Sequence, residues 1–89
     1  MPSTIGGQRD LTIEYDKFGV PTGNCWVDGE LHTITGAPGI MRGPSAQGGT
    51  IRVAFNATFP VDASGNVEKV GSNITLFDYG GNRVTITIT

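Results

Sequence analysis

The sequence predicts an all-β protein: a small antiparallel β-sandwich or barrel of about six to seven strands, with an N-terminal arm and one long Gly/Pro-rich loop. Three observations carry this expectation. No window has the 3.6-residue apolar period of an amphipathic helix. Several windows alternate β-branched apolar residues with polar ones at period two, the pattern of a strand with one buried face. Turn-forming clusters of Gly, Asn, Asp and Ser recur roughly every ten residues, the spacing of a small antiparallel fold.

Residues 1–8, MPSTIGGQ, have no periodicity and read as an extended arm, leaving residues 9–89 as a single domain. Leu11, Ile13 and Tyr15 alternate with Thr12, Glu14 and Asp16 in the first strand. Asp28-Gly29 is a favoured two-residue type I′ hairpin turn. Closing it sets Val27 opposite Glu30, Trp26 opposite Leu31 and Cys25 opposite His32, so that Trp26 and Leu31 share a face, and Trp26 is expected in the core. The next stretch, GAPGIMRGPSAQGG (residues 36–49), holds five glycines and two prolines in fourteen residues. It can only be a loop, and loops of that length in small domains generally exist to touch something.

Ile51, Val53, Phe55 and Ala57 then alternate with Arg52, Asn56 and Thr58, broken on the polar face only by Ala54. Asp62 to Asn66 forms a turn between a strand ending near Pro60 and one starting at Val67, and its Asp, Ser and Asn side chains can satisfy the turn amides. In the last hairpin, a two-residue Gly80-Gly81 loop would oppose Leu76 to Thr85 and Ile74 to Thr87. A three-residue loop, Tyr79 to Gly81 with Gly81 left-handed, instead opposes Leu76 to Val84 and Ile74 to Ile86, and the apolar pattern selects it. The final strand, Arg83 to Thr89, alternates to the end of the sequence and must be pinned in a sheet.

At 89 residues the chain is one domain, and a domain of this size buries only about 60–65% of the surface its unfolded chain exposes. Cys25 is the single cysteine, so no intramolecular disulfide can help. One Cys and one His cannot fill a structural zinc site. The remaining stabiliser is a protein partner, copies of the chain itself or a larger surface. Six basic and eight acidic residues, scattered singly, give a net charge of -2, which argues against a nucleic-acid partner. No segment has the pattern of a signal peptide or the length of a membrane span, so synthesis in a cytoplasm and no membrane partner are expected.

No motif names a reaction. Cys25 and His32 face each other across the Asp28-Gly29 hairpin and could in principle make a reactive thiolate, but nothing supplies an orienting third group, and a Cys beside a Trp reads as a small hydrophobe. No catalytic residue and no cofactor are therefore expected. Asp62, Ser64, Asn66 and Glu68 alternate around a glycine, yet Gly65 falls at the wrong position for a calcium loop; a plain turn, and no metal, is the reading. Gly36-Ala37-Pro38-Gly39 and Gly80-Gly81 lack the helix and Lys of a phosphate cradle. Trp26, Tyr15 and Tyr79 could form a sugar-stacking platform, with Tyr79 the exposed member at a turn tip. Ile40-Met41-Arg42, at the centre of the long loop, reads either as an anchor for another chain or, for Ile40 or Met41, as a cap on the protein's own core.

In general character, a short, glycine- and threonine-rich, acidic, cysteine-poor chain with an extended arm, the sequence resembles the small β-rich virion proteins of tailed bacteriophages. The resemblance implies a non-enzymatic capsid decoration or cement protein, located in the virion and often trimeric or dimeric. It would bind the major capsid protein or another virion protein and stabilise the assembled shell by mass action and multivalency. Contacts would come from the arm, residues 1–8, and from the loop, residues 36–49, with Ile5, Ile40, Met41 and Arg42 as the anchors. Two other classes stay open. A tail, fibre or host-glycan-binding module would use Tyr79 and other exposed aromatics, and a small protease inhibitor would present the 36–49 loop with Arg42 in a trypsin-like pocket.

Overall fold

A computed structural model describes residues 7–35, 42–45 and 47–89. The alternating segments form six strands: β1 (Gln8–Tyr15), β2 (Pro21–Val27), β3 (Glu30–Thr35), β4 (Ile51–Thr58), β5 (Asn73–Phe77) and β6 (Arg83–Ile88). They close into an antiparallel barrel in the order β1-β2-β3-β6-β5-β4. Two three-stranded meanders thus meet at β1–β4 and at β3–β6. The inward positions, Leu11, Ile13 and Tyr15 of β1, Cys25 and Val27 of β2, Ile74 and Leu76 of β5, and Val84, Ile86 and Ile88 of β6, are all buried, joined by Ala57 and Phe59. Fully burying each large aliphatic among them contributes about 1.5–3 kcal/mol.

Both predicted hairpin registers are present. Cys25 faces His32 and Trp26 faces Leu31 across a turn whose two residues, Asp28 and Gly29, both have left-handed backbone (φ 50° and 84°). Leu76 faces Val84 and Ile74 faces Ile86, with Gly81 left-handed at φ 83°. C-terminal pinning is also found: Thr89 and Thr33 exchange backbone hydrogen bonds of 2.8 and 3.0 Å.

Three expectations are corrected. Trp26 is not in the core: it is half-buried on the outer face, while its neighbours Cys25 and Val27 point inward and are fully buried. Pairing fixes which residues share a face, and the bulk of Tyr15, Phe59 and the aliphatic residues already fills the interior. No seventh strand starts at Val67, which makes only an isolated bridge to Val61. The next apolar residue, Val70, lies three positions on, so the period-two alternation fails there. Finally, β1 takes one residue from the arm, Gln8, which pairs with Thr58, and just before it the buried Gly7 accepts a 2.9 Å hydrogen bond from the Phe59 N–H.

One turn is built three times from the same parts. In Asp16–Val20, Asp62–Asn66 and Asp78–Asn82, the Asp N–H donates to the carbonyl of the fifth residue (2.8, 2.9 and 2.8 Å) and the Gly N–H donates to the Asp carbonyl (3.0 Å in each). The Asp carboxylate Oδ1 accepts the N–H of the fifth residue in all three, at 2.9, 2.8 and 2.7 Å. The fourth residue, Gly19, Gly65 or Gly81, is left-handed each time, which is why it is glycine.

Candidate functional site

Because successive strands are antiparallel, the connections after β1, β3 and β5 lie at one end of the barrel. The Asp16–Val20 turn, the described residues 42–45 and 47–50 before β4, and the Asp78–Asn82 turn therefore share that end. Of the four anchors expected from the sequence, Ile5, Ile40 and Met41 lie outside the described residues. Arg42 is exposed. The chain just after it is fastened to the barrel: the Gly43 N–H donates a 2.8 Å hydrogen bond to the Gly19 carbonyl. Gly43 also lies flat on the ring of Tyr15, where an added Cβ would stand 2.6 Å from Cγ and Cδ1.

Arg42 and Phe18 are the chain neighbours of the two bonded glycines, so the loop backbone at Arg42 and the tip of the β1–β2 turn come to the same end of the barrel. Phe18 is 69% exposed, with the Lys17 Nζ 5.2 Å from its ring centroid, and Val20 is exposed beside it. At the tip of the β5–β6 hairpin Tyr79 is 61% exposed, as expected, next to exposed Phe77. Beneath this rim sit buried Asp78 and fully buried Tyr15. Burial, and then the charge of Asp78, push the Tyr15 phenol up to about 12. The Tyr15 hydroxyl has no hydrogen-bond partner among the described residues. Tyr15 is thus part of the floor and not of any sugar platform.

A second surface lies on the outside of β4, β1 and β2. The Arg52 guanidinium stacks 3.9 Å from the centroid of the Trp26 ring, and Leu31, 60% exposed, lies opposite Trp26 on β3. Alongside, β1 and β2 shift register between Ile13 and Tyr15, around Gly23 at φ 105°. The Glu14 carboxylate closes that irregularity, accepting from the Thr22 hydroxyl at 2.7 Å and the Asn24 amide at 3.2 Å. These two donors, and then the charge of Arg52, hold Glu14 below the ordinary carboxylate range.

The remaining polar candidates are committed to structure. Cys25 is fully buried, and burial pushes its thiol up to about 11, so it stays protonated at neutral pH. His32, opposite it, pairs with Glu30 at 3.0 Å. Asp62 spends its carboxylate on the N–H groups of Ser64 (2.9 Å) and Asn66 (2.8 Å), and no group of three or more His, Cys, Asp or Glu that could hold a metal ion occurs among the described residues. Phe18 and the Trp26–Arg52 stack were missed by sequence reasoning. The Asp-x-x-Gly spacing shared by positions 16, 62 and 78 would have exposed Phe18 as a turn-tip residue equivalent in place to Tyr79's turn. The chain matches no protein-family model, no curated protein and no solved structure.

Proposed function

We propose that this is a non-enzymatic binding protein of a virion, a capsid decoration or cement protein that stabilises a shell through the contacts of one barrel end. The observation that carries the reading is the fastening of the loop to that end. Gly43 is hydrogen-bonded to Gly19 and seated on Tyr15, so the chain carrying Arg42 is fixed at the barrel end that also bears exposed Phe18 and Val20 and, on the β5–β6 hairpin, exposed Tyr79 and Phe77. Exposed aromatics around an Arg have the composition of a protein-contact core. A burial-protected thiol and carboxylates committed to turns favour binding over chemistry. The test is co-sedimentation of the purified chain with emptied shells of the tailed phage that encodes it. Saturable binding, lost on Phe18→Ser with Arg42→Ala and on deletion of residues 1–6, supports the reading; no binding to any virion component defeats it.

A host-glycan-binding module is the second reading, favoured by the placement of Trp26 on the outer face beside Arg52, Glu14, Asn24 and Thr22. With the Arg52 guanidinium swung off the ring, the indole would offer a stacking face edged by the Glu14, Asn24 and Thr22 polar groups. Saturable binding on a glycan array, abolished by Trp26→Ala, would select it over the shell.

A further inference from the structure

Charge is sorted along the barrel axis. The half that carries the β1–β2 and β5–β6 turns holds four cations, Lys17, Arg42, Arg52 and Arg83, against three carboxylates, Glu14, Asp16 and Asp78. The opposite half holds two cations, Arg9 and Lys69, against five carboxylates, Asp10, Asp28, Glu30, Asp62 and Glu68. Residues 62–69 belong to this second half because Lys69 pairs with Asp28 on the β2–β3 turn and the Gly71 N–H bonds the Ile88 carbonyl at the end of β6. One half is net positive by one and the other net negative by three, which accounts for the net charge of -2. The remaining residues, 1–6, 36–41 and 46, contribute no charged side chain, so the sorting is complete.

The use of each side chain sharpens the contrast. All three carboxylates of the positive half are turned to groups of their own hairpins. Glu14 accepts from Thr22 and Asn24, Asp16 from the N–H groups of Phe18 and Val20 at 2.8 and 2.9 Å, and buried Asp78 from the Asn82 N–H at 2.7 Å. Lys17 and Arg83, by contrast, are exposed and make no ion pair among the described residues. Lys17 lies over Phe18, and Arg83 faces exposed Phe77 across the β5–β6 pair. In the negative half both cations go to one carboxylate, Asp28, at 3.5 and 3.3 Å. Asp10 and Glu68 are left exposed with no ion pair among the described residues.

We propose that the surface met by the positive end is an acidic cleft of another protein, apolar at its floor. The proposal rests on the shell-binding reading above and gives that contact its chemistry. Two exposed aromatics of this end each have a cation beside them, Lys17 with Phe18 and Arg83 with Phe77, so apolar contact and charge are drawn to the same place. Carboxylates around an apolar floor complement both. The placement of the apolar residues favours a protein cleft over a flat anionic bilayer. Phe18 and Tyr79 stand on turn tips, but Val20 borders the start of β2 and Phe77 ends β5, on the barrel wall. A surface that covers all four must rise around the barrel end. The negative end is repelled by the same surface, so the field of the whole chain orients its approach.

Co-sedimentation of the whole chain with emptied shells, repeated from about 0.1 to 1 M NaCl, tests it, because the Debye length falls from about 10 to about 3 Å over that range. The Kd should rise at least about tenfold across it. At the lowest salt, Lys17→Glu with Arg83→Glu should weaken binding at least about tenfold with an unchanged far-UV CD spectrum. Adding Asp10→Lys and Glu68→Lys to that pair restores the wild-type net charge but changes only the far end, so the quadruple variant should bind as weakly as the double one. Binding that ignores salt, a K17E and R83E variant that binds like the wild type, or a quadruple variant that regains wild-type affinity overturns the acidic cleft and leaves the decoration reading standing. No binding to shells defeats both, and binding to phosphatidylserine–phosphatidylcholine vesicles instead would assign the end to lipid.

Discussion

The seat of the long loop makes a sharp energetic prediction at Gly43. In Gly43→Ala the new methyl group would stand 2.6 Å from Cγ and Cδ1 and 2.7 Å from Cδ2 of Tyr15. Carbon atoms settle at about 3.5–4.0 Å, so loop and ring must separate by roughly 1 Å. Tyr15 is fully buried and packed against the core, so the loop has to give. Overpacking of this kind costs about 1–3 kcal/mol. Lifting the loop also strains or breaks the Gly43–Gly19 hydrogen bond, a further ~0.5–1.5 kcal/mol. Gly43 is not among the left-handed glycines, so backbone strain adds nothing. A total of about 2–4 kcal/mol is a large share of the stability of an 89-residue domain. Even its lower bound lowers Tm by about 8–16 °C. The assay is a double-mutant cycle in urea, G43A in the wild-type and in the Tyr15→Leu background. The smaller side chain should make room and reduce the G43A penalty to under ~1 kcal/mol. A penalty equal in both backgrounds, or below ~1 kcal/mol in the wild type, would refute the seating of the loop on the ring.

Three further outcomes follow from buried and turn-forming groups. Tyr15→Phe deletes a buried hydroxyl with no described partner, so stability at pH 7 should hold or rise by up to ~1–3 kcal/mol in a urea melt. The Tyr15 phenol and the Cys25 thiol both ionise later in the folded than in the unfolded chain, at about 12 and about 11, so the folded state binds more protons. Their contribution is complete below pH 9 and is lost as pH rises, Cys25 first between about 9 and 11, then Tyr15 between about 10 and 12. A Tm profile in which Y15F fails to remove the upper part of that loss would contradict this assignment. Asp62 has the opposite sign: its turn amides hold the carboxyl below the ordinary value, so the turn weakens as pH falls through the acid range, and Asp62→Asn should flatten the acid limb of the same profile.

The hairpins were legible because each is decided locally. Asp28-Gly29 permits one tight turn, and the positions of Leu76, Val84, Ile74 and Ile86 permit one register at the other hairpin. The side of the sheet on which Trp26 lands was not legible, because pairing with Leu31 is satisfied on either face and the choice depends on distant residues filling the interior. The run from Val67 to Val70 looked strand-like by composition, but valines three apart cannot both face inward, and only one bridge forms. The candidate surface was half legible. Glycine and proline content located the loop, and Tyr79 was placed at an exposed tip. The base beneath Arg42 depends on contacts across more than twenty residues of sequence, Gly43 to Gly19 and Tyr15, which no local pattern encodes.

The repeated turn explains how such a rim can be specialised without endangering the fold. In each copy the Asp carboxylate, the Asp backbone and the left-handed Gly make the geometry, and the two tip residues between them contribute no hydrogen bond through their side chains. Those tips are Lys17-Phe18, Ala63-Ser64 and Tyr79-Gly80. The hydrogen bonds of the turn are the same whether its tip is Ala-Ser or Lys-Phe, and the ring of Phe18, 69% exposed, lies under the Lys17 ammonium rather than in the core. Phe18→Ala should therefore shift folding stability by no more than about 0.5 kcal/mol, the ordinary range for a surface position. It removes the largest apolar contact from the barrel end, and truncation of a contact aromatic at the centre of an interface typically weakens binding by ~2 kcal/mol or more, about thirtyfold. Stability and affinity for the proposed shell partner, measured on the one variant, separate the two roles: a large drop in Tm would make Phe18 a folding residue, whereas an intact fold with lost binding would assign it to that partner.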